Sequence, residues 1–323
     1  MKLPQSIVAV VSQQMQQSAA SRRSIELARR SKARLFLCMP AYDPNIDATA
    51  EMVDASVSRR ARQDYLEERM QWLGAWAAEL VRQGIDANCE VLWARSADDA
   101  VLSTVLEQAP DLVIADLDRE SFFKRWSVVR PATLRLARWC PAPLMLVQES
   151  STILPAKICA ALDPAHAHAP TAGLDERVLD ATWSVAMAAD ASMELVHVFA
   201  YASSQQSSNG RLHNQIEEMR ADDESKLQAL ADRYSVPEDR LFLRDGPVVK
   251  ALYQHVVEHE VDLIALGSEY RNRIDRLLLG STTESFLTQA PCDLLIVRPR
   301  GFEALLAKHK GLGAGSTQAA RAA

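Results

Sequence analysis

The chain has 323 residues, a hydrophobic fraction of 48% and a formal net charge of -6 at pH 7. These values suit two ordinary domains, and an acidic chain without a long basic run is a poor candidate for binding nucleic acid. No stretch approaches the roughly 20 apolar residues of a membrane span, and the five cysteines form no CxxC pair, so we expect a cytoplasmic protein without a disulfide framework.

Short apolar runs alternate with helix-length amphipathic stretches along the first half, which is typical of a parallel sheet covered on both faces. The longest predicted helix runs from Ala55 to Arg82. Five strands are predicted near residues 6–11, 34–39, 87–93, 111–116 and 143–147.

The second half repeats the alternation. Strands are predicted near residues 157–162, 193–199, 239–243, 261–266 and 293–297. Helices are predicted near residues 173–189, 211–233, 247–259 and 281–289.

The chain contains an internal duplication. SIVAVV from Ser6 matches KICAAL from Lys157, and DLVIAD from Asp111 matches DLIALG from Asp262, both displaced by 151 positions. We therefore predict an α/β protein with two tandem, doubly wound, five-stranded domains over 1–150 and 152–300. Residues 301–323 are small, glycine-rich and polar, and we predict that this tail is disordered.

A glycine-containing segment follows the fourth predicted strand of the second copy. It reads LGSEYRNRIDRLLLGSTTES, from Leu266 to Ser285. Gly267 allows close approach of a ligand to the backbone, and Gly280-Ser281-Thr282 opens a helix whose free N–H groups attract an anion. The alternative is purely structural, because a hydroxyl residue followed by Glu284 is also an ordinary helix start.

These features resemble the tandem-type universal stress proteins, over roughly residues 5 to 299. Nucleotide-binding members carry G-x-x-G, nine residues and then G-[ST], and Gly267, Tyr270, Gly280 and Ser281 occupy those positions. The resemblance implies two adenine nucleotide alpha hydrolase-like, Rossmann-like domains that pack through their last strands as an internal pseudo-dimer. It also implies a non-catalytic, regulatory role in the stress response.

The resemblance implies a binding site for ATP or AMP in the second domain only. Asp163 matches an aspartate that contacts the adenosine, and Val198 and Leu266 match residues that pack near the base. Plain core packing is the alternative for the latter two. The implied site residues are Asp163, Val198, Leu266, Gly267, Gly280, Ser281 and Thr282.

Three departures from the motif bear on this site. Tyr270 stands where the family has its second glycine, so its side chain occupies space near the sugar and phosphate. In the first copy, Asp116 and Arg119 replace the first two glycines, and an aspartate there repels phosphate. We therefore predict no nucleotide in the first domain, and a packing or protein-binding role for it.

The histidine-containing segments give weaker predictions of a binding site. HVVEH, His255 to His259, has the H-x-x-E-H spacing of a zinc site, but its helix is already explained by the repeat, so no metal is predicted. His166 and His168 belong to a polar loop after the strand that precedes Asp163.

The alternative function is an interaction or carrier module that binds a small apolar ligand or an unidentified protein partner. No catalytic residues are predicted, although slow ATP hydrolysis stays open.

Overall fold

The fold repeats one arrangement of strands and helices in two consecutive units of the chain. One unit is formed mainly by residues 4–154 and the other by residues 155–302, and we call them the N-terminal and C-terminal units. The computed structural model describes residues 2–52, 55–117, 119–123, 126–129, 131–164, 173–200, 210–268, 271–273, 276–289, 291–302 and 318–321.

The first half of the chain alternates strands and helices as predicted. Its elements are β1 (Ser6–Val10), α1 (Ala19–Ser31), β2 (Arg34–Ala41), α2 (Pro44–Met52), α3 (Ala55–Arg82), β3 (Ala87–Trp93), α4 (Ala97–Gln108), β4 (Leu112–Asp116), β5 (Arg119–Phe123), β6 (Trp126–Val129), α5 (Pro131–Trp139) and β7 (Leu144–Val147).

The second half has the same succession. Its elements are β8 (Lys157–Leu162), α6 (Leu174–Ala189), β9 (Ser192–Phe199), α7 (Gly210–Tyr234), β10 (Leu241–Asp245), α8 (Val248–Glu258), β11 (Leu263–Gly267), β12 (Arg271–Arg273), β13 (Arg276–Leu278), α9 (Ser281–Gln289), β14 (Asp293–Val297) and β15 (Gln318–Arg321).

Each unit contains five parallel strands in the same order, which confirms the predicted doubly wound fold. In the N-terminal unit the order is β3-β2-β1-β4-β7. In the C-terminal unit it is β10-β9-β8-β11-β14. In each unit the second and third strands lie on one side of the first strand, and the fourth and fifth strands lie on its other side. A crevice therefore opens between the carboxyl ends of the first and fourth strands, where α/β proteins bind ligands.

The strands are apolar because both of their faces are covered by helices. All five residues of β14 are buried, as are all four of β7. Helix α1 shows how the layers are joined, since its buried Arg23 donates hydrogen bonds to the carbonyl oxygens of Thr152 and Ile153 at 2.7 and 3.0 Å. The core of each unit thus lies between its sheet and the flanking helices.

The structure departs from the predicted elements in a few places. Strand β10 begins two residues later than predicted, because Glu238–Arg240 form a single 3-10 turn after Pro237. The short helix α2 and two small two-stranded sheets, β5 with β6 and β12 with β13, were not predicted. These elements lie in segments without a clear hydrophobic period.

The predicted disordered tail contains one short strand. Gln318–Arg321 form β15, which pairs antiparallel with β3 of the N-terminal unit, Gln318 opposite Trp93. The small, polar composition of the tail led to the prediction of disorder, but a strand needs only backbone hydrogen bonds to extend a sheet edge. Residues 303–317 lie outside the described part of the chain, and disorder of the tail stays a prediction.

Within the described residues, no helix is both long and apolar enough to cross a membrane. Contact between the two copies through their last strands stays a prediction.

Candidate functional site

A cavity of about 560 Å³ opens in the C-terminal unit at the carboxyl ends of its strands. It lies at the crevice between β8 and β11, where the strand order reverses. Helices α6, α7, α8 and α9 contribute the rest of its wall. The volume falls in the usual range for a small-molecule site.

All seven residues that the sequence singles out line this cavity. Asp163 follows β8, Val198 lies near the end of β9, and Leu266 and Gly267 end β11. Gly280, Ser281 and Thr282 form the start of α9. The fold thus brings together residues from four separate segments, and their role in binding a ligand stays a prediction.

Packing alone explains why position 267 is a glycine. A Cβ atom at this position would lie 2.9 Å from both Cγ and Cδ2 of Leu174 and 3.4 Å from Cγ2 of Val178. Contacts under 3.0 Å force a neighbour to move, and Leu174 is buried at the start of α6. Close packing of α6 on the end of β11 therefore requires glycine here, whatever the cavity holds.

The start of α9 has the chemistry of an anion site. The first N–H groups of a helix have no acceptor within the helix and carry the positive end of its dipole. Gly280 leaves room at this point, since a Cβ atom there would meet only Ser268 Oγ and Thr283 Oγ1, each at 3.9 Å. Ser281 is exposed, Thr282 is half-buried, and both line the cavity.

A buried arginine supports the neighbouring strand exit. Arg298, at the end of β14, donates hydrogen bonds from Nη1 to the carbonyl oxygen of Ser268 at 3.2 Å and to its Oγ at 2.9 Å. Because Ser268 directly follows Gly267, the guanidinium fixes the course of the backbone beside the candidate site.

The structure adds a carboxylate that sequence reasoning missed. Asp175, in the first turn of α6, accepts a hydrogen bond from the backbone N–H of Asp163 at 3.2 Å and lines the cavity. Burial raises the pKa of Asp175 to about 6, and the nearby charges of Asp163 and Glu176 act in the same direction. An acidic residue in the first turn is an ordinary helix signal, so the sequence did not mark this position.

His197 forms part of the cavity wall beside these carboxylates. It is buried on β9, with Nδ1 3.0 Å from the carbonyl oxygen of Leu162 and Nε2 3.4 Å from Oδ2 of the buried Asp223. Both ring nitrogens thus face oxygen atoms of the protein, which fixes the orientation of the ring in the cavity wall.

Helix α7 brings two basic side chains to the wall, and both are ion-paired. Lys226 Nζ lies 2.6 Å from Asp222 Oδ2, and Arg233 Nη1 lies 3.7 Å from Glu176 Oε1. The charge on this side of the cavity is therefore largely balanced by the protein itself.

The corresponding cleft of the N-terminal unit is smaller, about 320 Å³, and its chemistry differs. Asp116 stands at the position equivalent to Gly267, and its Oδ1 accepts a hydrogen bond from the backbone N–H of Ala20 at 3.1 Å. A protein carboxylate thus lies at the end of β4 and pairs with the start of α1, at the position where the C-terminal unit has Gly267. This geometry favours the prediction of no nucleotide in this unit.

The HVVEH histidines belong to one hydrogen-bond network, in which His255 is buried and His259 is half-buried. Arg244 Nε donates to Nδ1 of His255 at 3.3 Å, and Arg244 Nη2 lies 2.8 Å from Nε2 of His259. Nε2 of His255 lies 2.7 Å from Oε1 of the buried Glu194, while His259 Nδ1 is 3.7 Å from Oε2. Burial, with the charges of His255 and Arg244, lowers the pKa of His259. The two stacked rings thus link a guanidinium to a buried carboxylate.

Cys159, Glu194 and His255 lie close enough together to raise the question of a metal ion. Arginine only donates, so Nδ1 of His255 must accept and its Nε2 must carry the hydrogen that points to Glu194. A metal-bound histidine has the opposite arrangement, with its second nitrogen donating to an acceptor. Burial and Glu194 raise the pKa of the Cys159 thiol well above its usual value, whereas a metal binds thiolate. The arrangement does not fit a metal site.

Tyr270, His166 and His168 lie outside the described residues. Arg119 is in β5, but its side chain is not described.

The fold and cavity together define a doubly wound α/β protein with a ligand cleft at the point where strand order reverses. The sequence profile of the Universal stress protein family matches residues 170–298. Universal stress protein A homolog 2 of Coxiella burnetii is 32% identical over 114 residues, 35% of this chain and 77% of that protein. The chain therefore belongs to the universal stress protein family, as the sequence predicts.

Longer relatives cover nearly the whole chain. Universal stress protein E of Photorhabdus laumondii is 22% identical over 307 residues, 93% of this chain and 96% of that protein. The crystal structure of a universal stress protein from Pseudomonas aeruginosa UCBPP-PA14 is 17% identical and superposes with a TM-score of 0.73 over 94% of this chain and 97% of that one. Membership of this family supports a role in the stress response.

Proposed function

We propose that this chain is a non-catalytic stress-response protein that binds ATP or AMP in the cavity of its C-terminal unit. One observation carries the proposal: the residues singled out from the sequence line a single cavity at the reversal of strand order. Such a crevice is where α/β proteins of this kind bind nucleotides.

Each part of the cavity suits one part of the ligand. Asp163, at the end of β8, would accept hydrogen bonds from the ribose hydroxyls. Val198 and Leu266 are buried to 8% and 3% exposure and offer an apolar surface to the base. The phosphates would meet the N–H groups and hydroxyls at the start of α9, beside Gly280.

The test is titration calorimetry with AMP and ATP on protein that has been stripped of nucleotide by unfolding and refolding. We expect one equivalent to bind, and Asp163→Ala to weaken binding at least tenfold. Tyr270→Gly restores the family motif and is expected to strengthen binding. Arg119→Gly changes the equivalent position of the N-terminal copy and serves as its matched control, with no expected effect.

The outcomes separate the parts of the proposal. If neither the wild type nor Tyr270→Gly binds nucleotide, the proposal is wrong. If only Tyr270→Gly binds, the natural site is disabled. Phosphate release from ATP above background that disappears in Asp163→Ala would contradict the non-catalytic part.

A second candidate is a carrier for a small apolar ligand. It is favoured by the apolar wall that helices α7 and α8 give to the cavity, which includes Leu230, Val248 and Leu252. Native mass spectrometry of the freshly purified protein distinguishes the two, because a retained mass identifies the class of ligand and counts the chains.

A further inference from the structure

We propose that the protonation state of Asp175 controls binding in the C-terminal cavity, which takes a phosphate-bearing ligand more tightly at mildly acidic pH. The inference rests on the proposed function and adds a regulation to the same site. It assigns to Asp175 a role that the family motif does not contain.

The position of Asp175 carries the argument. Its neighbour Leu174 packs on Gly267, and its own Oδ1 accepts the backbone N–H of Asp163. The carboxyl group therefore lies beside the end of β8, in the wall of the cavity that Gly267 also lines. A ligand held by Asp163 lies next to Asp175.

The charged groups around Asp175 come from four elements. Asp163 follows β8, Glu176 is next in α6, and His197 faces the same region from β9, paired with Asp223. On α7, Lys226 and Arg233 are paired with Asp222 and Glu176. The residues that β11, α8 and α9 contribute to the cavity carry no ionisable side chain, and His166 and His168 fall outside the described residues.

Two opposing effects act on the carboxyl group. A carboxylate in the first turn of a helix is stabilised by the helix dipole, which favours its charged form. Burial and the negative charges of Asp163 and Glu176 oppose this, and their sum raises the pKa to about 6. The proton is thus gained or lost between pH 5 and pH 7, a range that an acidified cell can reach.

The ionised and protonated forms of Asp175 interact differently with a phosphate. The ionised state places two adjacent carboxylates, Asp163 and Asp175, against an anionic ligand, whereas the protonated state removes one charge and adds an O–H donor. If only the protonated state binds, the observed dissociation constant is the intrinsic one divided by the protonated fraction. A rise from pH 5.5 to 7.5 would then weaken AMP binding by about tenfold or more.

The experiment measures AMP binding by calorimetry from pH 5.5 to 7.5 in the wild type, Asp175→Asn and Glu176→Gln. The phosphate of AMP titrates near pH 6 itself, so the comparison between proteins isolates the contribution of the side chain. Asparagine copies the uncharged carboxyl in shape, and Glu176→Gln is the comparison that also removes one carboxylate from the cavity wall but leaves Asp175 able to ionise. Adenosine, without phosphate, tests the same effect in the unmutated protein.

We expect AMP binding to the wild type and Glu176→Gln to weaken with rising pH, and Asp175→Asn to retain at pH 7.5 the affinity that the wild type has at pH 5.5. Adenosine binding should change less than twofold over the range. Equal pH dependence in the wild type and Asp175→Asn, or an equal dependence for adenosine and AMP, would overturn this inference alone. Absence of binding at every pH in every protein would overturn the proposed function.

Discussion

Leu174 packs so closely on Gly267 that a single methyl group added to the glycine would lie 2.9 Å from its Cγ and Cδ2 atoms. The first glycine of the candidate motif is therefore held in place by the contact between α6 and β11. A substitution here changes both the stability of the unit and the shape of the cavity, and the two effects need separate measurements.

Gly267→Ala should lower the free energy of unfolding by about 1–3 kcal/mol without any nucleotide, as expected for an overpacked contact. Urea denaturation measures the change. Gly74→Ala is the matched control, because Gly74 lies inside α3 with no atom within 4 Å of an added Cβ. That change should raise stability by about 0.5–1 kcal/mol, since alanine is the better helix former.

The double variant Gly267→Ala/Leu174→Ala should lose less stability than the sum of its single changes, because the smaller side chain removes the clash. Strict additivity would contradict the packing explanation.

Asp175→Asn should make the protein more stable at neutral pH. The raised pKa means that the folded state holds its proton while the unfolded state has already released it, so wild-type stability falls as pH rises from about 4 to about 6. Above pH 6 the loss in free energy of unfolding is constant, at about 3 kcal/mol for a pKa raised by roughly two units. Urea denaturation from pH 4 to pH 8 measures it.

The stability difference between Asp175→Asn and the wild type should be close to zero at pH 4 and complete above pH 6. A difference that does not change with pH would show that it comes from packing. Glu176→Gln, on the adjacent half-buried position, should not reproduce the pattern.

The repeat in the sequence was enough to predict most of the fold and the convergence of the site. The equivalent strands of both copies are apolar, and the carboxyl ends of parallel strands share an edge, so Asp163 and Gly267 had to lie near each other. Asp175 was not predictable in this way, because its pKa depends on burial and not on a motif. The spacing of His255 and His259 indicated a helix face, but their partner Glu194 lies 61 positions earlier than His255.

His255→Ala should destabilise the protein by about 3 kcal/mol, because it leaves the buried Glu194 carboxylate without its nearest hydrogen-bond donor. Thermal or urea denaturation measures the loss. His213→Ala is the control, since His213 is exposed on α7 and its replacement should change stability by no more than about 0.5 kcal/mol.

The same network predicts no response to zinc. A metal that binds only the folded state raises its stability with concentration, so a zinc site at Cys159, Glu194 and His255 would raise the melting temperature. We expect the melting temperature to be the same with zinc and with a chelator. A rise that is lost in Cys159→Ser would contradict the hydrogen-bond assignment of His255.

The equivalent positions Asp116 and Gly267 give the two units different chemistry at one point of the fold. Asp116 accepts the backbone N–H of Ala20 at the start of α1, so Asp116→Ala should cost about 1 kcal/mol, as for loss of a helix cap. Asp116→Asn keeps an oxygen acceptor and should cost less. If Asp116 only fills space, the two variants will be equally stable.

Neither variant at Asp116 is expected to bind a second equivalent of AMP, because the first copy has no glycine to match Gly280 at the start of its last helix. A stoichiometry of two in calorimetry would show that this carboxylate alone closes the N-terminal cleft to nucleotide.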